Sequence, residues 1–456
     1  MPPVLALLLC FGCIVVAYRI DAKRAPEVSY GLWIPLIWVL ILGSRPVSLW
    51  FSPGTLYQSG EGSPVDATIY LLLICAAGIV LWKRQIPWSE LFARNRILVL
   101  LLLYMAVSVL WTDVPFTSFK RFIKMIGMPA MGLVVLTEPD AVAALKTIAR
   151  RSAYVLIPLS ETLNKYFFSL AVTFDNWTGT MMVSGVSESK NMFGQMCFIE
   201  SLLLIWILLQ KGEQEPARLR KTQFMLDASI LMLAIYLLRK AHSATSLVCL
   251  IAGVAVLLGG NLRLVRWRIA TWLAVGVAIF AILEFVVGGI FGSFTAALGR
   301  DPTLTNRTDI WQELWALRGN LFVGTGFEGF WTGERFLAIL QLRRINEAHN
   351  GYLEVFLNLG AIGLALWLLV IAAAYRNCRR LIVNNYRFGQ IGMTLFTVFL
   401  TYNCTESGIR GLSFILFFFF LVAIDAVGRD RREWVEETEA LYQDARLPVM
   451  EAISVK

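Results

Sequence analysis

Charge is scarce in this chain. Only 16% of its 456 residues are Asp, Glu, Lys or Arg, against roughly a quarter in an ordinary soluble domain, and that shortage excludes a conventional water-facing globular surface. Histidine is nearly missing: His242 and His349 are the two present. Seven cysteines occur, most of them (Cys10, Cys13, Cys75, Cys197, Cys249) inside apolar runs. They read as small buried hydrophobes, neither a disulfide framework nor a zinc site. No G-x-x-x-x-G-K-[ST] occurs, and no strand precedes Gly324 and Gly326, which read as turn glycines rather than a nucleotide loop. The net charge of +9 comes in short clusters between apolar runs, with no basic patch interleaved with aromatics, so nucleic acid is not an expected partner. No repeat of fixed period is present.

What the chain does have is apolar side chains, 57% of the total. Runs of about 20 residues, each long enough to cross a bilayer, place spans near 1–18, 32–50, 66–82, 97–111, 122–137, 152–168, 191–210, 224–238, 243–260, 267–291, 351–374, 388–403 and 411–427. The expected fold is all-α, a polytopic transmembrane bundle of about 12–13 spans. Its parts are an N-terminal bundle over 1–291, a large loop over 292–350, C-terminal helices over 351–428 and a tail over 429–456. The apolar start lacks a basic n-region and reads as a retained first span.

Lys and Arg orient the bundle. The connections 19–31, 83–96, 138–151, 211–223, 261–266 and 375–387, with adjoining span ends and the tail, hold 26 of the 41 basic residues. By the positive-inside rule these face the cytoplasm. Six of the remaining 15 lie in the 292–350 loop, which therefore keeps arginines on the outer side against the bias. That loop holds Trp311, Trp315, Phe322, Phe327, Phe330 and Trp331, aromatic content that argues for a folded segment. Trp311 to Leu317 reads as helical, and Gly324-Thr325-Gly326 as a turn.

A lone histidine at a span boundary is ordinarily filler, but His349 sits in a pattern. His349-Asn350, nine residues, Gly360, two residues and Gly363 resemble the histidine signature of the bacterial O-antigen ligase family, which includes O-antigen ligases, O-antigen polymerases and exopolysaccharide polymerases. Gly299-Arg300-Asp301-Pro302-Thr303-Leu304-Thr305-Asn306-Arg307-Thr308-Asp309-Ile310-Trp311 is similar to that family's loop motif, closest to exopolysaccharide polymerases of the succinoglycan type, where glycine usually stands in place of Asn306. Leu110-Trp111-Thr112-Asp113-Val114-Pro115, Arg151 to Ser160 and Lys190-Asn191-Met192-Phe193-Gly194 are further familiar pieces. The resemblance runs from about 95 to 425.

It implies a metal-independent, cofactor-free inverting glycosyltransferase of the bacterial inner membrane, acting on its periplasmic face. The donor is a glycan on undecaprenyl diphosphate, and membrane lipid, a flippase and chain-length regulator proteins are further expected partners. The family's essential arginine falls on Arg307 and its essential histidine on His349. A second basic residue belongs to the turn Arg239-Lys240-Ala241-His242-Ser243, where His242 takes the usual basic position and Lys240 and Arg239 stand just before it. Lys190, Asn350 and Arg300 complete the expected substrate-binding set, with a snorkelling lysine at a span end an equal reading of Lys190 and a solvated loop charge the plainer reading of Arg300.

The residue types suit that chemistry. Negative charge builds on a diphosphate as its glycosidic bond breaks, and a fixed guanidinium stabilises it most in the transition state. Arg307 binds phosphate oxygens two at a time. His349 either takes the acceptor's proton or orients the acceptor, with Glu347 a competing base. Arg343 and Arg344 either line the entrance or are solvated loop charges, the plainer reading, while Glu328 and Glu334 sit in a glycine- and aromatic-rich stretch that either holds sugars or is simply surface. Glu200 and Glu284 lie inside spans, where charge is costly and often functional. They support the rival class, a proton-coupled transporter or lipid-linked oligosaccharide flippase, although Glu200 can also pair with a basic group inside the bundle. Within the family, the alternative to polymerase is a ligase that moves the chain onto lipid A-core.

Overall fold

In hydrocarbon a segment must satisfy its own N–H and C=O groups, so apolar runs become helices. The computed structural model describes residues 1–24, 28–51, 63–174, 181–210, 217–261, 307–343 and 345–426. In chain order its helices are α1 (Pro3–Arg24), α2 (Trp33–Gly43), α3 (Val47–Phe51), α4 (Pro64–Lys83), α5 (Trp88–Arg94), α6 (Arg96–Ser108), α7 (Pro115–Leu136), α8 (Ala141–Tyr166) and α9 (Phe168–Ala171). After them come α10 (Lys190–Leu209), α11 (Ala217–Lys240), α12 (Ala244–Asn261), α13 (Arg307–Ala316), α14 (Gly333–Arg343), α15 (Gly351–Asn384), α16 (Tyr386–Asn403) and α17 (Phe414–Ala423). A two-stranded antiparallel hairpin, β1 (Val172–Phe174) and β2 (Met181–Val183), interrupts them. The fold is an all-α helical bundle, and the chain is a multi-pass membrane protein.

Five of the described helices are long and apolar enough to cross a membrane as they stand, and two bent pairs also pass that test when joined. α5 and α6 meet at 89° and α7 and α8 at 118°. The second bend changes the expected layout: most of the connection expected over 138–151 is the start of α8, capped where Asp140 Oδ1 accepts from the Ala143 amide at 2.9 Å. The span expected near 267–291, with Glu284, and the tail lie outside the described residues.

α10 is the central helix, with 78% of its apolar window buried; α1 and α4 are peripheral, with 17% each. On those two helices Leu8, Leu72 and Trp82 are exposed, as side chains facing lipid are. Cys10 and Cys13 have C-x-x-C spacing, but both are free thiols on α1, which fits filler rather than redox chemistry. α17 carries Phe417, Phe418 and Phe419 fully buried. Glu200 is fully buried on α10 and accepts from Ser152 Oγ at 2.6 Å. Its partner is therefore a hydroxyl, not the basic group weighed from sequence.

The connections gather in two groups. In one, Glu138 accepts from the Ser29 amide and hydroxyl at 2.9 and 2.6 Å and pairs with Arg84, while the Asp425 amide donates to Asn95 Oδ1 at 2.8 Å. In the other, Arg45 donates to the carbonyls of Leu170 at 2.6 Å and Gly185 at 3.0 Å. There the Phe327 amide also meets Ser108 Oγ at 3.0 Å, and Arg121 donates to the Glu328 carbonyl at 2.8 Å. The first group joins members of the basic set at 19–31, 83–96 and 138–151, while 211–216 and 262–266 of that set lie outside the described residues.

α15 is broken at Gly360, whose φ of +65° is non-helical. The break leaves backbone groups that the 320–326 turn satisfies. Ala361 N donates to the Leu321 carbonyl at 2.8 Å, Ile362 N to the Phe322 carbonyl at 3.1 Å, and Thr325 N to the Leu357 carbonyl at 3.2 Å. A Cβ at Gly360 would lie 2.3 Å from the Phe322 carbonyl, and one at Gly324 would lie 2.5 Å from the Asn358 backbone. The run Gly324-Thr325-Gly326-Phe327-Glu328-Gly329 spells G-x-G-x-x-G, yet it turns between α13 and α14 against a broken helix, without the strand–turn–helix of a dinucleotide site. Gly360→Ala is expected to cost about 1–3 kcal/mol through backbone strain alone. Thermal unfolding followed by size-exclusion chromatography would read this, and an unchanged midpoint would mean the break is dispensable.

Candidate functional site

His349 is held by the start of α15. Asn350 is that helix's N-cap: its Oδ1 accepts from Tyr352 N and Leu353 N, each at 3.0 Å, a standard way to satisfy orphan amides. The structure thus gives Asn350 a capping contact. His349 itself has φ +49°, an uncommon conformation for a residue with a Cβ. The Gly351 amide donates to the Glu406 carbonyl at 3.1 Å, which locks the helix start against the connection between α16 and α17.

That lock places a carboxylate on the imidazole. His349 Nδ1 lies 3.1 Å from Glu406 Oε2 and 3.3 Å from Glu347 Oε1. Glu406 is buried, and its Oε2 also accepts from Asn191 Nδ2 at 3.0 Å. Asn191 is the second residue of α10, directly after Lys190. The expected lysine therefore opens the helix that reaches the histidine's carboxylate.

The arginine motif arrives from the other side. α13 begins at Arg307, and one turn later Trp311 Nε1 donates to the carbonyl of Ala348 at 2.9 Å. Ala348 is the residue before His349, so the two motifs meet through this indole. The side chain of Arg307 lies outside the described residues, as do Arg300 and the side chains of Arg343 and Arg344. Ile310, Leu314, Phe330, Trp331, Ile339, Ala348 and Leu357 form a second apolar core beneath the loop. Inside it, Glu354 accepts from Ala348 N at 2.6 Å and Trp331 Nε1 at 2.7 Å.

The turn between α11 and α12 completes this end. His242 is exposed with φ +48°. Thr245 Oγ1 lies 2.9 Å from Thr405 Oγ1, beside Glu406. Arg239 is exposed on the last turn of α11. Lys240 reaches Glu161 at 3.5 Å and lies 4.4 Å over the Tyr236 ring, so its ammonium already has local partners.

Comparison with known proteins fits this geometry. Residues 228–368 match the O-antigen ligase family. That stretch is similar to the family over about a third of the chain. The Rhizobium meliloti (strain 1021) exopolysaccharide production protein ExoQ is 23% identical over 288 residues, covering 60% of this chain and 62% of that relative. The match thus spans less than two thirds of the relative's length.

The matched stretch holds His242, Arg307 and His349, but the groups that seat the histidine, Asn191 and Glu406, fall outside it. Sequence reasoning overlooked Glu406. The available signal was an acidic residue in a short connection between two apolar spans. It also overlooked Arg410, which donates to the Asn346 carbonyl and sits 5.1 Å from the Trp331 ring centroid. Glu328, which the sequence leaves between holding a sugar and lying on the surface, is buried; it accepts from Gly411 N at 2.9 Å and lies 3.9 Å from Arg121. Glu347, His349 and Glu406 offer ligand atoms within 4.8 Å of one another, a donor set with the composition for a divalent cation.

Proposed function

We propose that this chain is an inverting glycosyltransferase of the bacterial inner membrane that polymerises lipid-linked repeat units at its periplasmic face. The observation that carries the proposal is His349 seated on Glu406 with the Arg307 helix docked one residue away through Trp311. A carboxylate at Nδ1 favours the tautomer with its proton there and leaves Nε2 as the basic atom. In the proposed step an acceptor sugar hydroxyl attacks the anomeric carbon from the face opposite the diphosphate. The new glycosidic bond forms as the old carbon–oxygen bond breaks, and undecaprenyl diphosphate departs with the electron pair. The hydroxyl proton passes to His349, whose imidazolium the Glu406 carboxylate stabilises, the role of the aspartate in a hydrolase triad. Arg307 and the cations of the 239–242 turn offset the charge on the departing diphosphate.

The similarity to ExoQ, an exopolysaccharide production protein, supports the polymerase over transfer to lipid A-core. A deletion strain complemented by the wild-type gene and assayed for exopolysaccharide and lipopolysaccharide tests this. Loss of polymer with single repeat units left on the lipid carrier is the expected pattern. Uncapped core with accumulated long chains would select the ligase, and normal glycans in both fractions would remove the enzyme.

The reaction is proposed to need no metal, because a diphosphate is already a good leaving group. Transfer by the purified protein is expected to survive excess EDTA. Activity lost to chelation and restored by zinc or manganese would instead make Glu347, His349 and Glu406 a metal site.

A further inference from the structure

At the opposite end of the bundle from His349, a cavity of about 430 Å³ opens between the α5–α6 elbow, the C-terminal part of α15 and the end of α17. Arg94, Arg96, Arg376 and Arg380 line it, with Asp425 the one carboxylate among the lining residues. Asp425 pairs with Arg380 and lies 3.8 Å from Arg94 Nη1, and Glu90 accepts from Arg94 Nη2 at 2.6 Å. Two nearby carboxylates against four guanidinium groups leave the rim positive.

The rim is fixed in place. Asn377 Nδ2 donates to the carbonyls of Val422 at 2.8 Å and Ile424 at 3.1 Å, and its Oδ1 accepts from Arg380 Nη2 at 2.8 Å. Asn95 Oδ1 accepts from Asp425 N at 2.8 Å. Two asparagines therefore tie the end of α17 to the elbow and to α15. Below the charged rim the wall is apolar, from Leu98, Val370 and Ala373. A guanidinium rim over an apolar wall matches a phosphate on acyl chains, and guanidinium takes phosphate oxygens in pairs.

We propose that this cavity binds the phosphate headgroup of an anionic glycerophospholipid from the leaflet on the basic side of the bundle, the side the positive-inside rule assigns to the cytoplasm. Basic pockets between membrane helices on that side attract such headgroups. The ligand is not the donor at His349, because the two sites lie at opposite ends of the helices. The proposal stands whatever reaction occurs there.

Native mass spectrometry of the full chain, released from micelles holding phosphatidylglycerol, cardiolipin or phosphatidylcholine, tests it. Retained phosphatidylglycerol or cardiolipin, with phosphatidylcholine stripped, is the expected result. Arg376→Gln and Arg380→Gln should each reduce retention about fivefold, the effect of one basic residue at an anionic surface. Asp425→Asn should increase retention, a reversal that general misfolding would not produce; size-exclusion profiles check that each variant folds. Equal retention by wild type and both arginine variants would overturn the proposal, as would equal retention of phosphatidylcholine. Displacement of the lipid by inorganic phosphate at comparable concentration would also overturn it, and would assign the site to a soluble phosphate compound.

Discussion

Replacing His349 with alanine is expected to slow chain transfer by about 10²–10⁴, the usual worth of a positioned general base, with the protein still folded and inserted. The measurement is polymer formed from a purified lipid-linked repeat unit, with protein quantity matched by immunoblot. Glu406→Gln separates a base from a mere orienting group. The amide can still meet Nδ1, now 3.1 Å from Oε2, and can still face Asn191, but it carries no charge to stabilise the imidazolium. A base therefore predicts a large loss for Glu406→Gln, smaller than that of His349→Ala. An orienting histidine predicts nearly full activity. Glu347, 3.3 Å from the same nitrogen and part-exposed, is the competitor. If Glu347→Gln matched the loss in His349→Ala while Glu406→Gln had no effect, the base would be Glu347.

Arg307→Ala is the second large effect. Removing one preorganised donor from developing charge costs about 10²–10³ in rate, or about 2.7–4 kcal/mol. The loss should fall on kcat more than on KM, since the charge it meets grows as the bond breaks. Arg307→Lys should recover only part of the rate, because an ammonium is a point charge without the bidentate fork. Trp311→Phe is informative beside it. That change deletes the indole donor to the Ala348 carbonyl and keeps the apolar packing, so it should lower activity without touching either reacting group. If Arg307→Lys were fully active and Trp311→Phe unaffected, the docking of α13 on the histidine turn would have no part in the chemistry.

The family comparison covers 228–368, but the site extends past it on both sides. Asn191 comes from α10, inside the Lys190–Gly194 piece of the resemblance but with no role read for it, and Glu406, from the connection after α16, was invisible to a reading by motif. Motifs are runs of neighbouring residues, whereas Glu406 meets His349 across 57 positions through one side-chain contact, held by a backbone bond from Gly351. Glu354 carries the same lesson. It looks like a charge in a span, and its partners, Trp331 Nε1 and Ala348 N, come from a loop expected to lie in water.

By itself the sequence determined that the chain crosses a membrane many times as helices, because hydrocarbon leaves a backbone no other way to satisfy its polar groups. Through Lys and Arg it also set which connections are expected to share a side. Tertiary structure decided what touches what. It bent α7 against α8 where a loop was expected, broke α15 at Gly360 so that the 320–326 turn could take up its free backbone groups, and gave the histidine its carboxylate. Such contacts depend on helix angles and close backbone approach, set by packing across the whole bundle, and no local pattern of residues encodes them.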